Sequence, residues 1–155
     1  MTQTTFTLTV DGGCTNNQVP SKALGYYSMK LVDNETSRER EMLVDGVRQP
    51  ISRHVLNPFF RQTNQVAELV VLIKAVNYLL ELAARCQASK QALPIITIHT
   101  DSKYAHGWAA GVNRKAGVNV ELTSELRSVA RQLEAYPEFS ISRVDRSVIV
   151  GVLGH

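Results

Sequence analysis

Three carboxylates stand in short polar segments unlike the rest of the chain. They are Asp11 in T-V-D-G-G-C, Glu68 in T-N-Q-V-A-E-L and Asp101 in I-H-T-D-S-K-Y. Each falls where the local pattern ends a strand or opens a helix. Carboxylates gathered at one place repel each other, and a divalent cation relieves that repulsion. A donor set made only of oxygen selects hard ions, so Mg²⁺ is expected, with Mn²⁺ as a substitute, rather than zinc. Ions held in this way activate water and stabilise a leaving oxygen in phosphodiester hydrolysis. Taken singly, Asp11 before Gly12-Gly13 reads equally well as a turn residue, and Asp101 before Ser102 as a helix start. The three together, in this order, make a shared site the sharper reading.

The elements that must position these acids follow from periodicity. Over residues 5–11, Phe6, Leu8 and Val10 alternate with Thr5, Thr7 and Thr9, which predicts a strand with Asp11 at its C-terminal end and Gly12-Gly13 breaking it. Residues 23–32 and 38–44 read as two further strands around a turn at Asp33-Asn34, giving an antiparallel meander. Residues 50–62 read as an irregular connection. The rhythm of Leu69, Leu72, Ile73, Val76, Leu79, Leu80 and Ala83 predicts a helix over 63–85 with Thr63 as its N-cap and Glu68 at the margin of its apolar stripe. A strand over 93–100 follows, then a short helix from Ser102 to Ala110, a basic loop over 111–117 with Arg114 and Lys115, a helix over 121–136, a strand over 139–144 and a short helix over 147–153. A meander followed by βα units implies a five-stranded mixed α/β sheet flanked by helices. In such sheets ligands gather beyond the C-terminal strand ends, where Asp11 and Asp101 lie if their strands are neighbours.

Bulk properties narrow the class. The chain has 155 residues, which suits one domain over 1–155. Hydrophobic residues make up 44% and charged residues 20%, the balance of a soluble globular protein. No apolar run approaches the ~20 residues that span a bilayer, and Met1-Thr2-Gln3-Thr4 lacks the basic and apolar regions of a signal peptide. A cytoplasmic chain without membrane contact, and a monomer, is expected. A net charge of +3 suits an anionic partner without proving one. Cys14 and Cys86 form no metal-binding or redox spacing and read as free thiols.

The set D-G-G, T-N-Q-V-A-E and T-D-S-K-Y resembles the motifs of type 1 ribonuclease H, in which D-G-(S/G), T-N-N-x-A-E and T-D-S-x-Y occur in the same order. The resemblance covers residues 5–104 with good order and spacing, and the remainder more loosely. It implies the ribonuclease H-like fold and endonucleolytic hydrolysis of the RNA strand of RNA–DNA hybrids, leaving 5′ phosphates. By position it makes Asp11, Glu68 and Asp101 ligands of two metal ions about 4 Å apart. It further implies minor-groove contacts to 2′-hydroxyls from Gly12, Gly13 and Cys14, from the side-chain amides of Asn64 and Gln65, and from Ser102. Gln65 stands where the family usually has a second Asn.

Two stretches depart from the family pattern in the substrate-binding regions. Thr15-Asn16-Asn17-Gln18 replaces the Asn-Pro-Gly common after the first motif. The long basic handle of some bacterial members is absent, Arg114 and Lys115 being its nearest equivalent. A third departure touches the site itself. The family's fourth carboxylate lies in a helix after the last strand, in a segment such as N-x-x-A-D, and this chain has none. His155 is the favoured replacement, as a metal ligand and catalytic group. Asp145 is the alternative, and it equally suits a surface ion pair with Arg143 or Arg146. Among other residues, His54 reads as a loop residue and His99 as a structural strand residue. His106 is a weaker candidate for approach to substrate, and Tyr104 and Trp108 read as packing. Two other readings stay open: another nuclease, such as a junction resolvase, on the same fold, and a non-catalytic hybrid-binding domain.

Overall fold

A computed structural model describes residues 4–16, 19, 21–44, 47–48, 51–112 and 119–154. Its centre is a mixed sheet. Strand β1 (Thr5–Thr15) pairs antiparallel with β2 (Leu24–Asp33), from Phe6 opposite Asp33 to Thr15 opposite Leu24. On its other side β1 pairs in parallel with β7 (Ile95–Thr100), and β7 in turn with β8 (Phe139–Arg143). The outer edge of β2 is covered twice, by β3 (Glu39–Arg40) and by β6 (Ile51–Val55), both antiparallel to it. Between them the chain leaves the sheet through a small hairpin, β4 (Leu43–Val44) and β5 (Val47–Arg48). The predicted five-column mixed sheet is therefore present, with its third column divided between two strands.

Two expectations about strands change. Gly12 and Gly13 do not end β1; they stay paired with Tyr27 and Tyr26, and the strand continues to Thr15. A Cβ on Gly12 would lie 2.5 Å from the Ala67 carbonyl carbon and oxygen, so this glycine serves close approach of strand to helix. The stretch 50–62 also contains a strand, β6, which opposes Tyr26, Tyr27 and Met29 of β2. The turn at Asp33-Asn34 forms as expected. The Asp33 carboxylate accepts hydrogen bonds from Glu35 N at 2.9 Å and Thr36 N at 3.3 Å, and pairs with Arg40.

Helix α1 (Asn64–Ala88) begins at the predicted cap, where Thr63 Oγ1 accepts from Val66 N at 3.1 Å. Its apolar side chains bury on more than one stripe, because the sheet covers one side and α3 (Val120–Leu133) another. Leu69, Leu72, Ala75, Val76, Leu79 and Ala83 are fully buried against Leu8, Val10, Met29, Ile96 and Ile98. Short α2 (Lys103–Ala109) packs on α3, and α4 (Arg146–Leu153) rests on β1 and β2. No helix among the described residues is long and apolar enough to cross a membrane.

Candidate active site

Strand alternation decides which face each acid takes. In β1, Leu8, Val10 and Gly12 face α1, so Asp11 shares the opposite phase with Thr7 and Thr9. In β7, Ile96, Ile98 and Thr100 face the core, and Asp101 continues the opposite phase from His99. The parallel pairing of β1 with β7 ends at Thr9 opposite His99. Beyond it the strands lose their mutual hydrogen bonds, and Asp11 and Asp101 lie past the divergence on the same face. Asp11 is 4% exposed. Glu68 approaches from the core side, held at this level by the contact of the Ala67–Glu68 backbone with Gly12.

The last strand brings in a fourth group. Because β8 runs parallel to β7, it finishes at the same edge, with Arg143 opposite Thr100 and Val144 N donating to the Thr100 carbonyl at 2.8 Å. Two residues later α4 starts, and its first residue, Arg146, reaches both aspartates. Its Nη1 lies 2.8 Å from Asp101 Oδ2 and 3.5 Å from Asp11 Oδ1. The arginine side chain is 60% exposed, while those of Asp11 and Asp101 are nearly buried. The hydrogen bond to Asp101, followed by the charge of Asp11, raises the guanidinium pKa further, so it stays charged. The sequence left Asp145 open as a fourth ligand or as a surface partner of Arg143 or Arg146. Instead Asp145 occupies the α4 N-cap position, exposed, accepting the Ser147 hydroxyl at 2.7 Å.

Glu68 is tied elsewhere. Ser102 Oγ donates to Glu68 Oε2 at 2.8 Å and accepts from Ala105 N at 3.0 Å, so this one buried hydroxyl caps α2 and orients the glutamate. Burial raises the Glu68 pKa most, and repulsion from Asp101 and Asp11 adds to it, against the opposing Ser102 hydrogen bond and the Arg146 charge. Among the described residues no three His, Cys, Asp or Glu side chains meet in metal-ligating geometry. The reason lies in these contacts: Ser102 holds Glu68 on the helix side, while Arg146 grips the two aspartates on the other face.

The remaining candidates are distributed around this centre. Gly13 continues β1, where an added Cβ would meet the Tyr26 hydroxyl at 2.5 Å. Cys14 is partly buried, with its thiol donating to Gln62 O at 3.4 Å, and burial raises its pKa. Asn64 and Gln65 are exposed in the first turn of α1. His155 lies outside the described residues, as do Arg114 and Lys115. His106 lines a cavity of about 150 Å³ between α2, α3 and β8 that no member of the acidic set borders. Tyr104 and Trp108 pack against the core. The residue that sequence reasoning missed is Arg146. Its signal was its place at the start of the helix following the last parallel strand.

Strand order and helix placement match the ribonuclease H-like fold. Neither a protein-family model nor a curated protein matches the sequence. Solved structures do match. The chain is similar to RNase H1 from the halophilic archaeon Halobacterium salinarum, with 20% identity and a TM-score of 0.57 over 94% of this chain and 89% of that one. It is similar to the N-terminal RNase H domain of Rv2228c from Mycobacterium tuberculosis, with 18% identity and a TM-score of 0.60 over 94% and 91%. LC11-RNase H1, solved in complex with an RNA/DNA hybrid, aligns with 16% identity and a TM-score of 0.60 over 94% and 89%. Likenesses at this identity concern the fold, which is shared along nearly the whole chain.

Proposed function

We propose that this chain hydrolyses the RNA strand of RNA–DNA hybrids in a reaction dependent on divalent metal, as a monomeric cytoplasmic enzyme. The observation that carries the reading is the joining of Asp11 and Asp101 through Arg146 at the edge where β1 and β7 diverge, with Glu68 near enough to feel both charges, in a fold shared with ribonucleases H. A hard divalent cation fits these residues in donor type and in charge. All three acids offer oxygen, and the charges of Asp101 and Asp11 add to the burial that raises the Glu68 pKa. Asp11, Asp101 and Glu68 would hold it. When bound, the cation supplies charge neutralisation and a lowered water pKa.

The chain's own groups account for the rest. Nearly buried aspartates keep their orientation between substrate encounters, which lowers the reorganisation needed during reaction. Ser102 restrains the glutamate through its hydrogen bond. Asn64 and Gln65, exposed one turn before Glu68, would meet the sugar edges of a bound hybrid, where 2′-hydroxyls distinguish RNA from DNA. Water oxygen adds to phosphorus, the bond from phosphorus to the 3′ oxygen breaks, and that oxygen leaves with a proton. The products carry a 3′ hydroxyl and a 5′ phosphate.

The test is cleavage of a labelled hybrid in Mg²⁺ and in Mn²⁺, beside double-stranded RNA and branched DNA. Cleavage confined to hybrid RNA, and lost in Asp11→Asn and Asp101→Asn, is expected. An intact hybrid at every concentration of either ion would sink the proposal. One observation favours a second reading, a hybrid-binding domain without catalysis: Arg146 already neutralises part of the acidic charge. Hybrid binding without divalent-ion binding in calorimetry would select it.

A further inference from the structure

We infer that the seam between α2 and α3 is a separate nucleic-acid site, which holds a single-stranded segment by stacking a base on Trp108 and pairing its phosphates with Arg127 and Arg131. The seam opens as a groove of about 510 Å³, lined by Trp108 of α2 and by Thr123, Ser124, Arg127, Ser128 and Arg131 of α3. Arg127 and Arg131 stand one helical turn apart, as do Ser124 and Ser128, so guanidiniums and hydroxyls form two adjacent rows on one face of α3. None of the three acids borders the groove. Trp108 is six positions beyond Ser102, ~9 Å along α2, which makes the groove a neighbour of the acidic edge rather than part of it. A strand seated here touches neither Asp11, Glu68 nor Asp101, so the site stands whether or not the chain is a hydrolase.

Each side chain is suited to its part. Arg127 is fixed in place: its Nη1 donates to the Ala109 carbonyl at 2.9 Å, and its guanidinium lies against Gly111, where an added Cβ would meet Arg127 Cζ at 2.8 Å. A guanidinium carries several N–H donors in a rigid fork, so the bond to Ala109 leaves others for phosphate oxygens. Glu134 lies 3.8 Å from the same nitrogen, but its side chain is 71% exposed, and so solvated a pair gives up little when a phosphate approaches. Arg131 is exposed on the next turn. Thr123 is spent on its own helix, its hydroxyl donating to the Val120 carbonyl at 3.1 Å, while Ser124 and Ser128 present exposed hydroxyls. Trp108 is half-buried, packed against the core and bordering the groove. An indole beside two guanidiniums answers both halves of a nucleotide, the planar base and the anionic phosphate. In a duplex, neighbouring bases cover each other's faces, so a base that stacks on Trp108 comes from an unpaired strand. Two cations ~6 Å apart along a helix meet successive phosphates of one strand rather than a lone anion. The net charge of +3 draws such a strand to the chain.

Trp108 is the single tryptophan of the chain, so its fluorescence reports on the groove directly. The full chain, in chelator, is titrated at low salt with short oligothymidylate and oligouridylate, and the anisotropy of a labelled oligomer follows binding in parallel. With at least one of them, quenching of Trp108 that saturates together with the anisotropy is expected. An abasic oligomer of equal length, and a mononucleotide, should each bind more weakly by roughly tenfold or more. Circular-dichroism melting confirms that each variant is folded. Arg131→Gln should weaken binding by roughly fivefold and lower the slope of log affinity against log salt by roughly 0.7. Ser128→Glu, which sets a negative charge in the groove from an exposed helical position, should weaken binding at least as much. Trp108→Leu should lose roughly tenfold by anisotropy. Absence of binding, anisotropy that saturates without quenching, or an abasic oligomer or mononucleotide as tight as the intact oligomer overturns the inference. Affinity unmoved by both Arg131→Gln and Ser128→Glu does the same. So does a phosphotyrosine peptide that binds more tightly than the oligomers, which would assign the groove to a protein partner. These measurements involve neither metal nor hybrid cleavage, so each of those failures leaves the hydrolase reading standing.

Discussion

Glu68 shows how one residue's setting fixes its behaviour. Burial first, then the charges of Asp101 and Asp11, raise its pKa above the ordinary carboxylate range. The neutral acid is therefore favoured in the fold. Its contribution to stability is fully present below the unfolded pKa of about 4.3 and is lost as pH rises through the raised folded value. In metal-free protein the charged side chain thus opposes folding at neutral pH. Glu68→Gln, which can still accept from Ser102, is expected to raise the melting temperature by a few degrees at pH 7 in chelator. The gain should vanish below pH ~4, where both states are neutral. A melting temperature unchanged at pH 7 would contradict the placement of Glu68 among the acids. Gly12 offers a second test at this scale. A methyl group there meets the Ala67 backbone at 2.5 Å and nothing flexible can yield, so Gly12→Ala should cost about 1–3 kcal/mol in urea unfolding. It should also depress hybrid cleavage, since Asp11 and Glu68 are each adjacent to the contact.

At the scale of elements, the connection from β6 to α1 sets where the first turn of α1 is presented. Gln62 clamps it. The side-chain oxygen accepts from Gly25 N at 2.7 Å, and its amide donates to Asn57 O at 3.1 Å and Phe60 O at 2.9 Å. Gln62→Ala leaves these partly buried groups unpaired and is expected to cost about 1–3 kcal/mol. Because Thr63 and Asn64 follow directly, KM for hybrid should rise more than kcat falls; equal effects on both would place the loop in the chemistry rather than in binding. This region also shows what local patterns omit. Alternation in 5–11, the stripe of α1, its cap at Thr63 and a helix start at Ser102 were legible, because each is written within a few residues. The divided edge column was not, since β3 is two residues long and β6 is defined by its pairing with β2. A hairpin signal was present and unread: the residues between β4 and β5 are Asp-Gly, a pair that favours the tight hairpin turn.

For the whole molecule, α1 is the element on which the sheet, α2 and α3 converge. Leu72, fully buried at its centre, should cost about 2–5 kcal/mol as Leu72→Ala. If the chain is one cooperative unit, as its length suggests, circular dichroism and the fluorescence of the single tryptophan, Trp108, will report one coincident transition in wild type and variant. Separate midpoints would divide the chain into independent units. The sequence by itself determined the identities of the three acids, the strand and helix supporting each, and the flanking residues that suggest a hybrid substrate. These are local, because side-chain type and hydrophobic period are properties of short segments. Only the tertiary structure decided that Arg146, 45 residues beyond Asp101, joins them. That contact depends on β8 lying parallel to β7 and ending at the same edge, a pairing between distant segments that no local pattern encodes. It brings a cation, rather than a fourth acid, to Asp11 and Asp101.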